Sequence, residues 1–165
     1  MYRTGHYGAA LLGYAPLGFA LLVLGDPTLA VAGGALSLAL APLPDYDQRV
    51  PLVSHRGVTH TLPFALVVGG CLGAVGWLVG ANGGTWQPAT LALFGVVVGV
   101  TAVGSHLLAD VITPAGIVPF WPVSGKKYTL GLARADDTLA NYLLLVLGVF
   151  VTALLVVAAR PALLR

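Results

Sequence analysis

The sequence predicts an all-α fold: a polytopic bundle of about five transmembrane helices, with one segment lying across the cytoplasmic face of the membrane. Of its 165 residues, 58% are apolar and only 8% are charged, whereas about a quarter of the residues in a soluble domain carry charge. The mean hydropathy is +0.91. Because so short and apolar a chain leaves no room for a second, soluble domain, we expect one integral membrane domain over residues 1–165.

Five apolar stretches are long enough to cross the hydrocarbon layer, which takes about 20 residues of helix. They are Tyr7–Gly25, Thr28–Leu43, Thr61–Ala81, Pro88–Val111 and Thr138–Ala159. The first is longer than the apolar region of a signal peptide, so we expect it to be retained as a span. The second is short, and we expect Asp26 to cap its start and the prolines at 42 and 44 to end it.

The basic residues predict how these spans are oriented. With five crossings, six of the eight basic residues fall on one side, namely Arg3, Arg49, Arg56, Lys126, Lys127 and Arg134, and Arg160 and Arg165 fall on the other. The positive-inside rule makes the first side cytoplasmic, which predicts a multi-pass protein of the cytoplasmic (inner) membrane with a cytoplasmic amino terminus. The long connection from Thr113 to Asp137 should lie across that face. A net charge of +2 without a basic stripe does not indicate nucleic acid as a partner.

This topology brings the histidines and most of the aspartates to one depth. They fall at the cytoplasmic ends of the spans: His6, Asp45, Asp47, His55, His60, His106 and Asp110. Ionisable groups near hydrocarbon are costly unless they pair with each other, line water or bind an ion. Seven such groups from four helices therefore predict a shared polar site.

Each local pattern within this set is ambiguous by itself. His106 and Asp110 are four residues apart and share one helix face, which is also the pattern of a histidine oriented by a carboxylate. His55 and His60 flank a junction between loop and helix, where Gly57 permits the backbone to turn. Surface histidines beside an arginine are common, so only the convergence of the motifs favours a metal site.

Asp45 and Asp47 stand two residues apart in a short connection, a pattern that is also typical of a solvated turn. Imidazole and carboxylate together suit zinc or another first-row ion such as manganese or iron, and more than four candidates suffice for one or two ions. Water bound there would lose its proton near neutral pH and serve as a nucleophile. The chain contains no glutamate, so the general base would be an aspartate, a histidine or the metal hydroxide itself, and Asp45 and Asp110 are the candidate residues.

The motifs, taken in order, resemble a known family. They are Leu43-Pro44-Asp45-x-Asp47, then His55-Arg56-Gly57-x-Thr59-His60-Thr61, then Ser105-His106-x-x-x-Asp110-x-x-Thr113-Pro114-x-Gly116. This order resembles the YdjM family of inner-membrane proteins, and the resemblance runs from His6 through Phe120-Trp121-Pro122. It implies a membrane-embedded metal-dependent hydrolase with a distant likeness to zinc-dependent phospholipase C. The resemblance does not imply a substrate.

The leading hypothesis is a metal-dependent hydrolase that acts on a phosphoester at the cytoplasmic membrane surface, in a lipid or a lipid-linked headgroup. The candidate metal ligands are His6, Asp45, His55, His60, His106 and Asp110, with Asp47 either a reserve ligand or a support for the ligands from behind. Asp45 and Asp110 are the candidate catalytic carboxylates, and Arg56 is expected to neutralise phosphate charge because a guanidinium can hold two oxygens at once.

Two other functions fit the same residues. An ion or proton-coupled carrier would also place ionisable groups within the membrane, although the outer halves of the spans offer little beyond Thr101 to continue a polar path. A noncatalytic scaffold could hold a purely structural metal. Structural zinc is usually closed by four ligands, and the larger number of candidates favours an open, catalytic site.

Overall fold

A computed structural model of the chain describes residues 1–51 and 54–163. Its helices are α1 (Arg3–Val23), α2 (Pro27–Leu40), α3 (Leu62–Ala81), α4 (Pro88–Val111) and α5 (Thr138–Leu163), with short 3₁₀ helices at Pro44–Arg49 and Val58–His60. In these described ranges, five segments are long and apolar enough to span a membrane, the second of them as Pro27–Arg49. The predicted all-α fold with five spans is confirmed. Arg165, which entered the charge comparison, lies outside the described residues.

The helix boundaries follow from local chemistry, with one exception. Thr61 and Asp137 each accept a hydrogen bond from the backbone amide three residues on, at 3.2 and 3.0 Å, and so cap α3 and α5. The expectation that Asp26 caps α2 is wrong, because its side chain makes no capping hydrogen bond. Its backbone lies at φ −110° and ψ 65°, outside the extended region of capping residues. The Asp26 carboxylate accepts a hydrogen bond from Trp86 Nε1 at 3.0 Å instead.

Glycines allow the helices to approach closely, as is common in membranes. A Cβ added to Gly99 of α4 would lie only 2.8 Å from Gly69 Cα of α3, and one added to Gly148 of α5 would lie 2.6 Å from Gly8 O of α1. Helix α1 contacts α2, α4 and α5. It therefore forms the centre of the bundle, with α3 packed on the outer side of α4.

The connection from Thr113 to Asp137 covers one end of the bundle. Ile117 and Tyr128 exchange two backbone hydrogen bonds, of 3.1 and 2.8 Å, which fold the connection back on itself. The backbone amide of Leu62 donates to Pro119 O at 2.8 Å and ties the connection to the start of α3. The segment thus lies across the end at which α1 and α3 begin and α4 finishes.

Candidate metal centre

The predicted histidines and aspartates meet at the end of the bundle that this connection covers. Helix α1 contributes one residue, and the first 3₁₀ helix, the segment before α3 and α4 contribute two residues each. The seven residues are His6, Asp45, Asp47, His55, His60, His106 and Asp110. Most are buried, while the side chain of Asp45 is 19% exposed and that of His55 is 43% exposed. The cluster is therefore enclosed by the bundle and opens toward Asp45 and His55.

Four side chains form an inner set: His60, His106, Asp45 and Asp110. The Nε2 atom of His60 lies 3.2 Å from His106 Nε2, 3.4 Å from Asp45 Oδ1 and 3.3 Å from Asp110 Oδ2. The Nε2 atom of His106 lies 3.6 Å from Asp45 Oδ1 and 3.5 Å from Asp110 Oδ2. Ligand atoms around a tetrahedral ion with bonds of about 2.1 Å are separated by about 3.4 Å. The inner set therefore fits one metal ion.

Hydrogen bonds at the back of each histidine fix which ring nitrogen faces the inner set. His106 Nδ1 donates to Ala41 O at 2.7 Å, an oxygen just past the end of α2, where backbone carbonyls lack helical partners. His60 Nδ1 lies 3.0 Å from the hydroxyl oxygen of Thr59, which itself donates to Asp47 Oδ2 at 2.8 Å. Each Nδ1 thus carries the proton, and each Nε2 directs a lone pair into the set. Such partners are typical of metal-ligating histidines.

The two oxygens of Asp110 have different surroundings. Oδ1 accepts hydrogen bonds from Arg56 Nη2 at 3.1 Å and from the amino group of Met1 at 2.9 Å. Oδ2, which belongs to the inner set, is buried and has no hydrogen-bond partner. A buried carboxylate oxygen without a donor is costly, so its environment suits a cation.

His6 stands beside the inner set as a further candidate ligand. Its ring stacks on that of His106 with centroids 3.7 Å apart, and both of its nitrogens are buried without a hydrogen-bond partner. Its Nε2 lies 3.6 Å from Asp45 Oδ2 and 3.8 Å from Asp110 Oδ1. One ligand atom from each of these four residues lies within 4.8 Å of the others. An imidazole this buried and unpaired has a free nitrogen that could bind an ion.

The carboxylates also control the proton on His60. Burial is the largest single effect and lowers the pKa of His60, but the combined interactions with Asp110, Asp45 and Asp47 outweigh it, so the pKa is raised. A proton on Nε2 would occupy the position that suits a cation. Proton and metal ion are therefore competitors for His60.

Asp47 and His55, both predicted as ligands, lie outside the inner set. Asp47 Oδ1 accepts from His55 Nδ1 at 2.9 Å, and Asp47 Oδ2 accepts from the Arg56 backbone amide at 3.1 Å and from Thr59. These hydrogen bonds make Asp47 a support for the residues around it. A second group that could hold an ion consists of His55, Asp45 and His60. One ligand atom from each of these residues lies within 4.8 Å of the other two.

Arg56 connects the cluster to the covering segment. Its guanidinium donates to Asp110, and its Nη1 donates to Thr113 Oγ1 and Gly116 O, both at 3.2 Å. The left-handed residue in this turn is Arg56 itself, with φ 62°. Gly57, which was expected to let the backbone turn, lies next to it at φ −83° and ψ −130°, outside the helical and extended regions. A Cβ on Gly57 would also lie 2.5 Å from Ser54 Oγ.

Sequence reasoning missed two hydroxyl groups, those of Thr59 and Thr113. Thr59 links Asp47 to His60, and Thr113 accepts from Arg56 while donating to Asp110 O at 2.8 Å. Both threonines lie within the sequence motifs quoted above, and this position was the signal that could have identified them.

Comparison with known proteins agrees with this architecture. No curated protein and no solved structure matches the chain. The model of a family described as YdjM inner membrane protein matches residues 3–164, nearly the whole chain and every residue of the cluster. The resemblance seen in the motifs is therefore confirmed, and the chain belongs to the YdjM family of multi-pass inner membrane proteins.

Proposed function

We propose that this protein is a metal-dependent hydrolase that cleaves a phosphoester of a lipid or lipid-linked headgroup at the cytoplasmic face of the membrane. The observation that carries the proposal is the inner set, in which two imidazole nitrogens lie 3.2–3.6 Å from each other and from one oxygen of each carboxylate, with each histidine held from behind. Zinc suits these nitrogen and oxygen ligands, with manganese or iron as alternatives. A bound ion would lower the pKa of a water molecule and polarise a phosphoryl oxygen.

The surroundings of the two carboxylates favour different roles for them. Asp110 is buried and held by Arg56, which suits a fixed ligand. Asp45 is the more exposed carboxylate of the inner set, at 19%, so it can meet an attacking water and accept its proton. We assign Asp45 as the general base for this reason.

Arg56 and the space beside it suit a phosphorylated headgroup. A cavity of about 490 Å³ is lined by Arg56 together with Ser54, Val58, Val118 and Trp121. A guanidinium is well matched to phosphate oxygens, and the apolar wall would exclude water from them. The excess of basic residues at this end of the bundle makes it cytoplasmic by the positive-inside rule. A site at this depth would receive lipids from the inner leaflet.

The first test is the metal content of the purified protein, prepared in detergent without a histidine tag. The parent should hold one or two equivalents of zinc, manganese or iron, and His60→Ala and Asp110→Ala should lose them. Asp136→Asn is a matched control, because Asp136 is exposed and, among the residues that the structure describes, forms an ion pair only with Arg134. A well-folded parent that binds no metal after reconstitution would show that the hydrolase proposal is wrong.

The second test is hydrolysis. The metal-loaded parent should release phosphate or a phosphorylated headgroup from at least one lipid phosphoester, and a chelator should abolish that release. Bound metal with no hydrolysis across a panel of phospholipids and polyprenyl phosphates would favour the scaffold, and metal-dependent ion flux in proteoliposomes would favour the carrier.

A further inference from the structure

A groove runs along the side of the bundle between α2 and α5, with α1 as its floor. One cavity of about 410 Å³ is lined by residues that include Tyr14 and Gly18 of α1, Gly34 of α2 and Leu155 of α5. A second cavity, of about 420 Å³, shares Leu11 and Leu38 with the first and extends to Tyr7. The two cavities adjoin at these two residues, and together we call them the lateral groove.

The lateral groove runs from a closed end to the level of the metal centre on α1. At the far end it stops at Leu22 and Ala30, which are buried against each other and Ala159. At the near end it reaches Tyr7, the residue after His6. The sixteen residues of α1 from Tyr7 to Leu22 span about 22 Å of helix, more than half of a hydrocarbon layer about 30 Å thick.

The walls of the lateral groove are suited to hydrocarbon. The lining is apolar apart from Tyr7, Tyr14 and Thr152, and the Tyr14 hydroxyl is turned away to donate to Ala30 O at 2.8 Å. Val31 on its edge is 72% exposed, so the groove is open to the side. At membrane depth an apolar surface of this kind is filled by hydrocarbon, because polar groups there would lose their hydrogen bonds.

We propose that the lateral groove binds a hydrocarbon chain of the lipid substrate, with the attached phosphoester at the metal centre. The evidence is the shared membrane depth of the two sites: Tyr7 lines the near end of the groove, and the adjacent His6 of α1 places its Nε2 3.6 Å from Asp45 Oδ2. This inference rests on the proposed function for the identity of the headgroup. The presence of a bound chain can be tested without any activity.

The test uses Gly34→Leu, with Gly70→Leu as its matched control. A Cβ on Gly34 would meet the Tyr14 ring at 3.5 Å, an ordinary contact, so a leucine there would extend into the groove without displacing a helix. Gly70 lies on α3 with nothing within 4 Å of an added Cβ. The same substitution there leaves the groove open.

The probe is phosphatidylglycerol with a diazirine on one acyl chain, in nanodiscs of phosphatidylethanolamine and phosphatidylglycerol. Crosslinks should concentrate on Leu11, Leu38 and Leu155 over the lipid-facing Leu66 and Val67 of α3. Gly34→Leu should reduce the groove crosslinks about fivefold or more, and Gly70→Leu should leave them unchanged. Equal labelling of both faces, or groove labelling that survives Gly34→Leu, would overturn the proposal.

Kinetic measurements distinguish binding of the hydrocarbon chain in the groove from the hydrolysis step. If a lipid phosphoester is hydrolysed, Gly34→Leu should raise its KM and leave a short, water-soluble phosphoester unaffected, with metal content unchanged. An equal effect on both substrates would count against the groove. Groove-specific crosslinks in a protein without hydrolase activity would refute the proposed function and leave the chain-binding site standing.

Discussion

The Nε2 atoms of His60 and His106 face each other at 3.2 Å in the buried centre of the cluster. Because Nδ1 of each ring has an acceptor behind it, both Nε2 atoms carry lone pairs when the rings are neutral. Two lone pairs at this distance repel unless a proton or a metal ion lies between them. This relationship makes the position between the two rings a site for which a proton and a metal ion would compete.

The hydroxyl of Thr59 should control metal affinity without touching the metal. It accepts from His60 Nδ1 and donates to Asp47, so Thr59→Val leaves the ring free to rotate. We expect metal affinity to fall about tenfold or more, as measured by competition with a fluorescent chelator. Thr59→Ser should restore it. Unchanged affinity in Thr59→Val would mean that the hydroxyl does not orient His60.

Replacement of Asp45 by asparagine and replacement of Asp47 by asparagine should have different effects on metal binding and on stability. Asp47 accepts hydrogen bonds from His55, Arg56 and Thr59, so Asp47→Asn should lower the free energy of unfolding by about 1–3 kcal/mol and retain measurable metal binding. Asp45→Asn should lose metal binding with a smaller effect on stability. Thermal unfolding in detergent with chelator, together with metal analysis, checks both variants. A reversed pattern would make Asp47 the ligand.

The pKa of His60 predicts opposite pH effects with and without metal. Its pKa in the folded protein is raised by Asp110, Asp45 and Asp47. Without metal, its protonation therefore stabilises the fold fully below about pH 6.5, and this stability is lost as the pH rises through the raised value. Metal must displace the same proton, so affinity should fall about tenfold per pH unit below that raised value.

The measurements are unfolding in chelator and metal titration, both over pH 5.5–8.5. Metal affinity that is flat over this range would show that His60 does not release a proton on binding, and so is not a ligand.

The sequence was sufficient to predict the spans and the cluster, since both depend on where apolar stretches end. It could not separate Asp45 from Asp47. In a 3₁₀ helix with three residues per turn, residues two apart point in different directions, so one carboxylate reaches the inner set and the other faces Thr59. The hydroxyl roles and the Asp26–Trp86 hydrogen bond depend on contacts between distant segments, which local patterns do not encode.

The packing of α3 on α4 predicts a clear difference between two glycines of α4. Gly99→Ala would place a Cβ 2.8 Å from Gly69 Cα, whereas Gly104 has nothing within 4 Å. We expect Gly99→Ala to lower the thermal unfolding temperature and Gly104→Ala to leave it unchanged or raise it, since alanine favours helix by about 1 kcal/mol over glycine. Equal unfolding temperatures would show that α3 and α4 can separate without cost.

Arg56 should matter for hydrolysis more than for metal binding. Lysine at this position keeps the charge but cannot reproduce the planar donors that contact Asp110, Thr113 and Gly116, and it cannot hold two phosphate oxygens in the same way. We therefore expect Arg56→Lys to keep its metal and to lose about tenfold or more in kcat/KM on the lipid phosphoester. Arg134→Lys is the control, because Arg134 is exposed and its one ion pair within the described ranges is with Asp136. If Arg56→Lys loses metal and activity in parallel, Arg56 acts by holding Asp110, and the phosphate must be bound elsewhere.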